Sequence, residues 1–280
     1  MLNTLLIDRN LSNNTELPVA KTQDDLPSEL VRAIKNNDLR LQYQPRYNTE
    51  KGQSVIFEAL VRWQHPTRGL LPPDSFIPVA EEHGLICKLG LWVFEKCCKD
   101  IIKLRHQLNQ KIKIAVNVSL LQCEDSLHIT KIYDICQKHN LNFSDFEFEL
   151  TESKSIKNKS KVILFCKTLR KLGADISLDD FGTGFSPLNN LCDLPINTIK
   201  IDKCFTDKIG RGGRDEILIN HLIELAHEMD IKVVAEGVEH AYQQEHLIAM
   251  GCDQLQGFYM CKPLDPADIS VEHIKMNTPY

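Results

Sequence analysis

Apolar residues recur along this chain in two rhythms, short runs with strand character and longer stretches with helical spacing. From Pro27 the segment SELVRAIKNN puts Leu30, Val31 and Ile34 on one helical face, which predicts a short amphipathic helix opening the folded part. Eight strand-like runs follow, at 41–47, 55–63, 112–119, 146–152, 175–182, 198–203, 232–238 and 253–260. Helical stretches such as 89–108, 161–173 and 215–230 separate most of them. Regular alternation of this kind predicts a parallel sheet, and eight units close most naturally into an α/β fold of the (β/α)8 TIM-like barrel type. The first two strands are joined by the turn-rich NTEKGQS instead of a helix, so the first strand is expected to run antiparallel to its neighbours.

Residues 1–27 are polar and turn-rich and read as a flexible arm or linker stub, leaving 28–280 as one domain. Composition agrees, with 42% hydrophobic and 25% charged residues, as in an ordinary globular protein. No apolar run approaches the ~18 residues of a membrane span, and the first ten residues lack the features of a secretory signal. A cytoplasmic protein is expected. The ten cysteines are scattered, with no C-x-x-C pair, and read as buried free thiols. A net charge of -5 argues against a binder of duplex nucleic acid, which draws its affinity from clustered Lys and Arg. An anionic ligand would instead need metal ions.

In an α/β barrel the active site forms where the strands end at their C-terminal rim. Read to that rim, the strands present Glu58, Asn117, Glu149, the pair Asp179 and Asp180, Lys200, Glu236 and Gln256. Five acids meeting at one mouth would repel each other unless cations compensate them. Oxygen donors suit Mg²⁺ or Mn²⁺, whereas zinc favours His or Cys, and none of the ten His residues falls within the strand-like runs. Asp179 and Asp180 are the most specific local signal. Neighbouring strand residues point to opposite faces, so both can reach one metal site only where the strand is ending and twisting. The following FGTGF, with Gly182 and Gly184, permits such a turn.

These residues resemble the signature of EAL-domain cyclic di-GMP phosphodiesterases over roughly residues 28–266. The motifs occur in order: YQPRY at 43–47, EALVRW at 58–63, the stretch 65–86, NVS at 117–119, ELTES at 149–153, LDDFGTGFSPL at 178–188, IKID at 199–202, AEGVE at 235–239 and QGFYMCKPL at 256–264. The resemblance implies hydrolysis of cyclic di-GMP to linear pGpG with two Mg²⁺ or Mn²⁺ ions. Glu58, Asn117, Glu149 and Asp179 would hold one ion, with Asp179 bridging to a second held also by Asp180. Glu236 would be the general base, Lys200 would orient or activate the water, and Glu152 would anchor the loop after Asp180. Gln44, Leu60, Arg62, Asp202 and Gln256 match substrate-contacting positions, and Glu239, Thr151 and Ser186 would brace the site from behind. Two ions about 3.5–4 Å apart lower the pKa of water and stabilise charge on the attacking and leaving oxygens. A homodimer is expected too, with the helix after Gly213 as one candidate surface. After the Asp pair the chain has Phe185, Ser186 and Pro187 where many relatives carry a Tyr followed by two Ser, and it departs also at Arg46, which is bulky and charged for its place. Two residues also admit plainer roles: Lys200 in a salt bridge to Asp202 or a neighbouring acid, and Arg62 stacked on Trp63.

The strongest rival is a receptor that keeps the fold and binds cyclic di-GMP without turnover. All seven ligand and water-activating positions are occupied by the expected residues, which favours the enzyme. The segment RGGRDE at 211–216 superficially suggests a GGDEF cyclase motif, but it carries an inserted Arg and runs into helical periodicity, so Asp215 or the loop before it starts a helix. An HD-type phosphodiesterase needs a His-Asp dipeptide, which the sequence lacks. A two-carboxylate glycosidase would explain paired acids but not Asn117, Lys200 and the Asp-Asp step together.

Overall fold

The structure is a computed structural model, and it describes residues 26–50, 55–151, 158–182, 191–210 and 212–275. Helix α1 (Leu26–Asn36) leads into a barrel built from β1 (Leu39–Asn48), β2 (Val55–His65), β4 (Ile112–Val118), β5 (Phe146–Thr151), β6 (Asp175–Phe181), β7 (Thr198–Ile201), β8 (Lys232–Ala235) and β9 (Gln254–Leu255). A short strand β3 (Gly69–Leu71) folds back on the end of β2. Strand order is β1-β9-β8-β7-β6-β5-β4-β2, and β1 pairs with β2 to close the ring. The first strand is antiparallel to both neighbours, as the short, turn-rich sequence joining it to β2 predicts.

The helical layer includes α2 (Ile77–Glu82), α3 (Ile86–Leu108), α4 (Leu120–Glu124), α5 (Ser126–Lys138), α6 (Lys159–Leu172), α7 (Lys203–Thr206), α8 (Arg214–Glu228) and α9 (Ala241–Ala249). Strand residues alternate between this layer and the barrel interior. On β5, Phe146 and Phe148 face α3, where the ring of Phe94 lies 4.9 and 5.7 Å from theirs. The intervening Glu147 and Glu149 are buried on the inner face. Apolar packing thus lies outside the barrel wall, and charge lies within it. All ten cysteines are free thiols, and among the described residues no helix is long and apolar enough to cross a membrane.

Four departures from the sequence reading have local causes. The opening helix starts at Leu26 and buries Leu26, Leu30, Ala33 and Ile34, while Val31 is only half-buried. Strand β2 runs two residues further than expected and takes in His65, so one histidine does lie in a barrel strand. Its Nδ1 accepts from the backbone N–H of Thr67 and Arg68, both at 3.2 Å, so Nε2 carries the proton and donates to Glu29 at 3.0 Å. That bond ties α1 to the barrel rim. Strand β8 stops at Ala235, and Gly237 has a positive φ of 64°. Strand β9 pairs only at Gln254 and Leu255, because the backbone of Gly257 passes directly against Val238, where a Cβ would come within 2.0 Å of the carbonyl oxygen.

Candidate active site

Register explains which side chains meet at the rim. Gln44 lies opposite Glu58 across β1 and β2, Asn117 beside Glu149 across β4 and β5, and Thr151 beside Asp179 across β5 and β6. Between Leu178 and Phe181 the pairing of β6 with β7 shifts, and Asp180 adopts a left-handed φ of 55°. This irregularity lets two adjacent aspartates face one mouth, as their sequence position anticipates. The backbone N–H of Asp180 donates to Asp179 Oδ1 at 3.0 Å. Oxygen atoms of Asp179, Asp180 and Glu236 come within 4.8 Å of one another.

Lys200 is fully buried at the centre of this group. Its Nζ lies 2.6 Å from Glu236, 2.9 Å from Glu149, 3.1 Å from Asp179 and 3.6 Å from Glu58. The salt-bridged reading of Lys200 therefore holds for four neighbouring acids but not for Asp202. Burial opposes its charge, yet Asp179, Glu236 and Glu58 outweigh burial and hold the ammonium above the ordinary lysine range. Glu58 accepts from Asn117 Nδ2 at 2.9 Å and from Gln256 Nε2 at 2.6 Å. Burial alone would raise its pKa, but Lys200 and Arg46, with those two hydrogen bonds, bring the carboxyl below its usual range. Glu236 behaves in the opposite way. Burial, against the pull of Lys200 and with Asp179 and Glu58 close by, pushes it up to about 8. Burial, with Asp179 and Asp202 nearby, pushes Asp180 up to about 6.

Five carboxylates against one ammonium leave four negative charges uncompensated when all are ionised. The donors at the mouth are carboxylates and an amide, without His or Cys, so the set fits hard divalent cations.

Two cavities open on either side of Glu58, Leu60 and Asp179, which line both. One, of about 470 Å³, is walled by residues such as Pro73, Ile77, Glu81, Asn117, Thr151 and Asp180. The other, of about 410 Å³, is bounded by Gln44, Lys203, Glu236, Glu239, Gln256 and Phe258. Leu60 thus sits on the divide between two lobes of one trough. Gln44 and Gln256 are engaged with the protein itself: Gln256 Nε2 donates to Gln44 Oε1 at 3.2 Å, and Gln44 Nε2 to the carbonyl of Cys261 at 2.9 Å. Arg62 is half-buried, with Nε donating to Gln42 at 3.0 Å. It is not stacked on Trp63, which lies on the other face of β2 against His65 and Phe76. Asp202 caps α7 by accepting from the backbone N–H of Cys204 at 2.9 Å. Glu239 pairs with Lys203 at 2.8 Å on the rim. Glu152 and Ser186, with Phe185 and Pro187, lie outside the described residues.

Sequence reasoning passed over Glu147, which accepts from Arg46 Nη1 at 2.7 Å inside the barrel. The signal was present in FEFELT, since glutamates two apart on a strand share a face. It also passed over Glu81, held by Ser119 Oγ at 2.7 Å on the wall of the larger cavity.

The model of the EAL domain family matches residues 28–263. The chain belongs to the EAL domain family. Among curated relatives, this EAL domain is 40% identical over 239 residues to an uncharacterized signaling protein of Caulobacter vibrioides, covering 85% of this chain and 29% of that protein. It is 37% identical over 239 residues to the cyclic di-GMP phosphodiesterase PdeR of Escherichia coli, covering 85% of this chain and 36% of PdeR. The chain therefore spans about a third of the length of these relatives. A solved structure of the PaMucR phosphodiesterase in complex with c-di-GMP superimposes on this EAL domain with a TM-score of 0.78 at 35% identity, covering 86% of this chain and 98% of that one.

Proposed function

We propose that this chain hydrolyses cyclic di-GMP to linear pGpG using two divalent cations, Mg²⁺ or Mn²⁺. The observation that carries the reading is the cluster of Asp179, Asp180 and Glu236 oxygens within 4.8 Å of one another beside buried Lys200. Similarity to a relative named as a cyclic di-GMP phosphodiesterase and to a phosphodiesterase solved with c-di-GMP, together with two cavities meeting at Glu58, Leu60 and Asp179, supports it. Glu58, Asn117, Glu149 and Asp179 would hold one cation, and Asp179 with Asp180 a second. Bound there, the cations supply the positive charge that makes water nucleophilic and offsets the charge of the phosphodiester.

The side chains carry the remaining steps. Glu236, raised by burial, accepts the proton from the attacking water at Oε1 or Oε2. Lys200 keeps that carboxylate in place and offsets negative charge as the P–O bond breaks. Gln44, Leu60, Arg62, Asp202 and Gln256 orient the substrate along the trough. Gln256 and Gln44 exchange their mutual hydrogen bond for contacts with it. Glu152 would anchor the segment after Asp180, and Glu239, Thr151 and Ser186 would brace the site from behind.

A reducing, cytoplasmic setting agrees with ten free thiols. A homodimer also belongs to this reading, with exposed Ile217 and Leu218 on α8 as candidate contacts. Light scattering across a concentration series tests that part. For the reaction, the purified chain is incubated with cyclic di-GMP and Mg²⁺ or Mn²⁺, and products are separated by chromatography. The expected result is pGpG, abolished by chelation. Binding of cyclic di-GMP without product at saturating metal would replace the enzyme with a receptor.

A further inference from the structure

We infer that Arg46 is a positioning residue that fixes Glu149 from beneath the mouth, holding one carboxylate oxygen so that the other stays beside Lys200 at the cation site. This rests on the reading of the mouth as a divalent-cation site.

Arg46 faces into the barrel on β1, two residues along from Gln44, and its side chain is inaccessible to solvent. Nη1 donates to Glu147 at 2.7 Å, and Nη2 is ion-paired with Glu149 Oε1. Glu147 and Glu149 project from the same face of β5, one step of the pleat apart, so the planar guanidinium fork spans them. The other oxygen of Glu149, Oε2, accepts from Lys200 Nζ at 2.9 Å. The carboxylate is therefore clamped, with Oε1 held by Arg46 from the barrel floor and Oε2 held by Lys200, which also pairs with Asp179 and Glu236.

Simple stabilisation is a poor explanation for the clamp. Apolar residues of similar volume would fill the floor at least as favourably as a buried ion-paired triad. Lysine would supply charge but not the two-pronged geometry. Arg46 with Glu147 adds no net charge to the interior, although the charge of Arg46 reaches Glu58. What it adds is orientation, and groups behind a metal ligand commonly set metal affinity through orientation.

The decisive variant changes Arg46→Met and Glu147→Gln together, which leaves the net interior charge unaltered. Mn²⁺ binding to the full chain without substrate is titrated by the EPR signal of free Mn²⁺, alongside Tm without metal and KM and kcat with cyclic di-GMP. Positioning predicts Mn²⁺ affinity weaker by about 10-fold or more, with kcat reduced and KM changed by less than about 3-fold. Arg46→Lys keeps the charge and falls between wild type and the double variant in affinity. A folded double variant that binds Mn²⁺ as tightly as wild type overturns the inference. So does a lowered Tm with unchanged Mn²⁺ affinity, which marks a structural role alone. Where the double variant fails to fold, Arg46→Lys decides alone, and wild-type Mn²⁺ affinity and kcat in it overturn the inference. Failure of the wild-type chain to bind Mn²⁺ at all would instead remove the cation-site reading itself.

Discussion

Lys200 Nζ lies 2.6 Å from Glu236 Oε1, nearer than to any of the three other carboxylates around it. An ammonium in that position is the local counter-charge of a cluster built for more positive charge than it supplies. Two consequences separate it from an ordinary buried salt bridge. Replacement by Met removes the counter-charge that Glu236 and Asp179 share, which costs about 3–5 kcal/mol in the metal-free protein. Added Mn²⁺ supplies compensating charge, so the loss of Tm in Lys200→Met shrinks at saturating Mn²⁺. Differential scanning calorimetry of both proteins with and without metal checks this. An equal loss in the two conditions would mean that Lys200 does not share its role with a cation.

The raised carboxyls give a second test, in pH. Glu236 moves from its ordinary 4.5 up to about 8, and Asp180 from 3.8 up to about 6, with burial the largest cause of each. Between those limits the folded, metal-free protein binds more protons than the unfolded chain. Its stability is accordingly greatest at the acid end of the window and falls as pH rises through the folded values. Cation binding must displace the same protons. Metal-free protein is expected to lose Tm from pH 6 to pH 8.5, and metal-saturated protein to lose less. Calorimetric titration with Mn²⁺ in buffers of different ionisation enthalpy should register proton release at pH 7 that fades by pH 9. Proton uptake on binding, or a metal-free Tm that climbs over that range, contradicts the assignment.

Much of this was legible in residues whose identity and strand position carry the same message. Asn117, Glu149, Asp179 and Lys200 stand near strand ends and Glu58 where the pairing of β2 with β4 ends, and alternation along a strand fixes which face each takes. The antiparallel first strand followed from a link too short for a helix. Partnerships across the barrel were harder to read, because they depend on register between strands far apart in sequence. Arg46 looked out of place beside YQP, yet β1 lies across the interior from β5, where Glu147 and Glu149 await it. Gln44 and Gln256 are 212 residues apart and meet only through closure of the ring. The ends of β8 and β9 escaped for another reason. Both sequences return to apolar residues beyond the pairing, at Val238 and at Phe258, but Gly237 and Gly257 let the backbone turn and cross at Val238.

Asp180 allows charge and backbone to be tested apart. Its φ of 55° lies in the left-handed region, which Gly adopts freely and Asn tolerates, but which costs an alanine roughly 1–2 kcal/mol. Its carboxylate also sits beside Asp179 and is raised by burial and by that neighbour, so its charge does not stabilise the metal-free fold. Asp180→Asn and Asp180→Gly should therefore keep or gain metal-free stability, while Asp180→Ala is lower than Asn by about that strain. Asp180→Gly and Asp180→Ala remove the proposed cation ligand, so each is expected to bind the second Mn²⁺ at least about 10-fold more weakly and to lose most turnover, while Asp180→Asn keeps a neutral oxygen donor and loses less affinity. Chemical denaturation provides the stability order, and Mn²⁺ titration provides the affinity order. The Gly and Ala variants separate in the first measurement and coincide in the second. If stability and metal affinity fell together in the same order, strain in the bulge rather than ligation by Asp180 would govern the site.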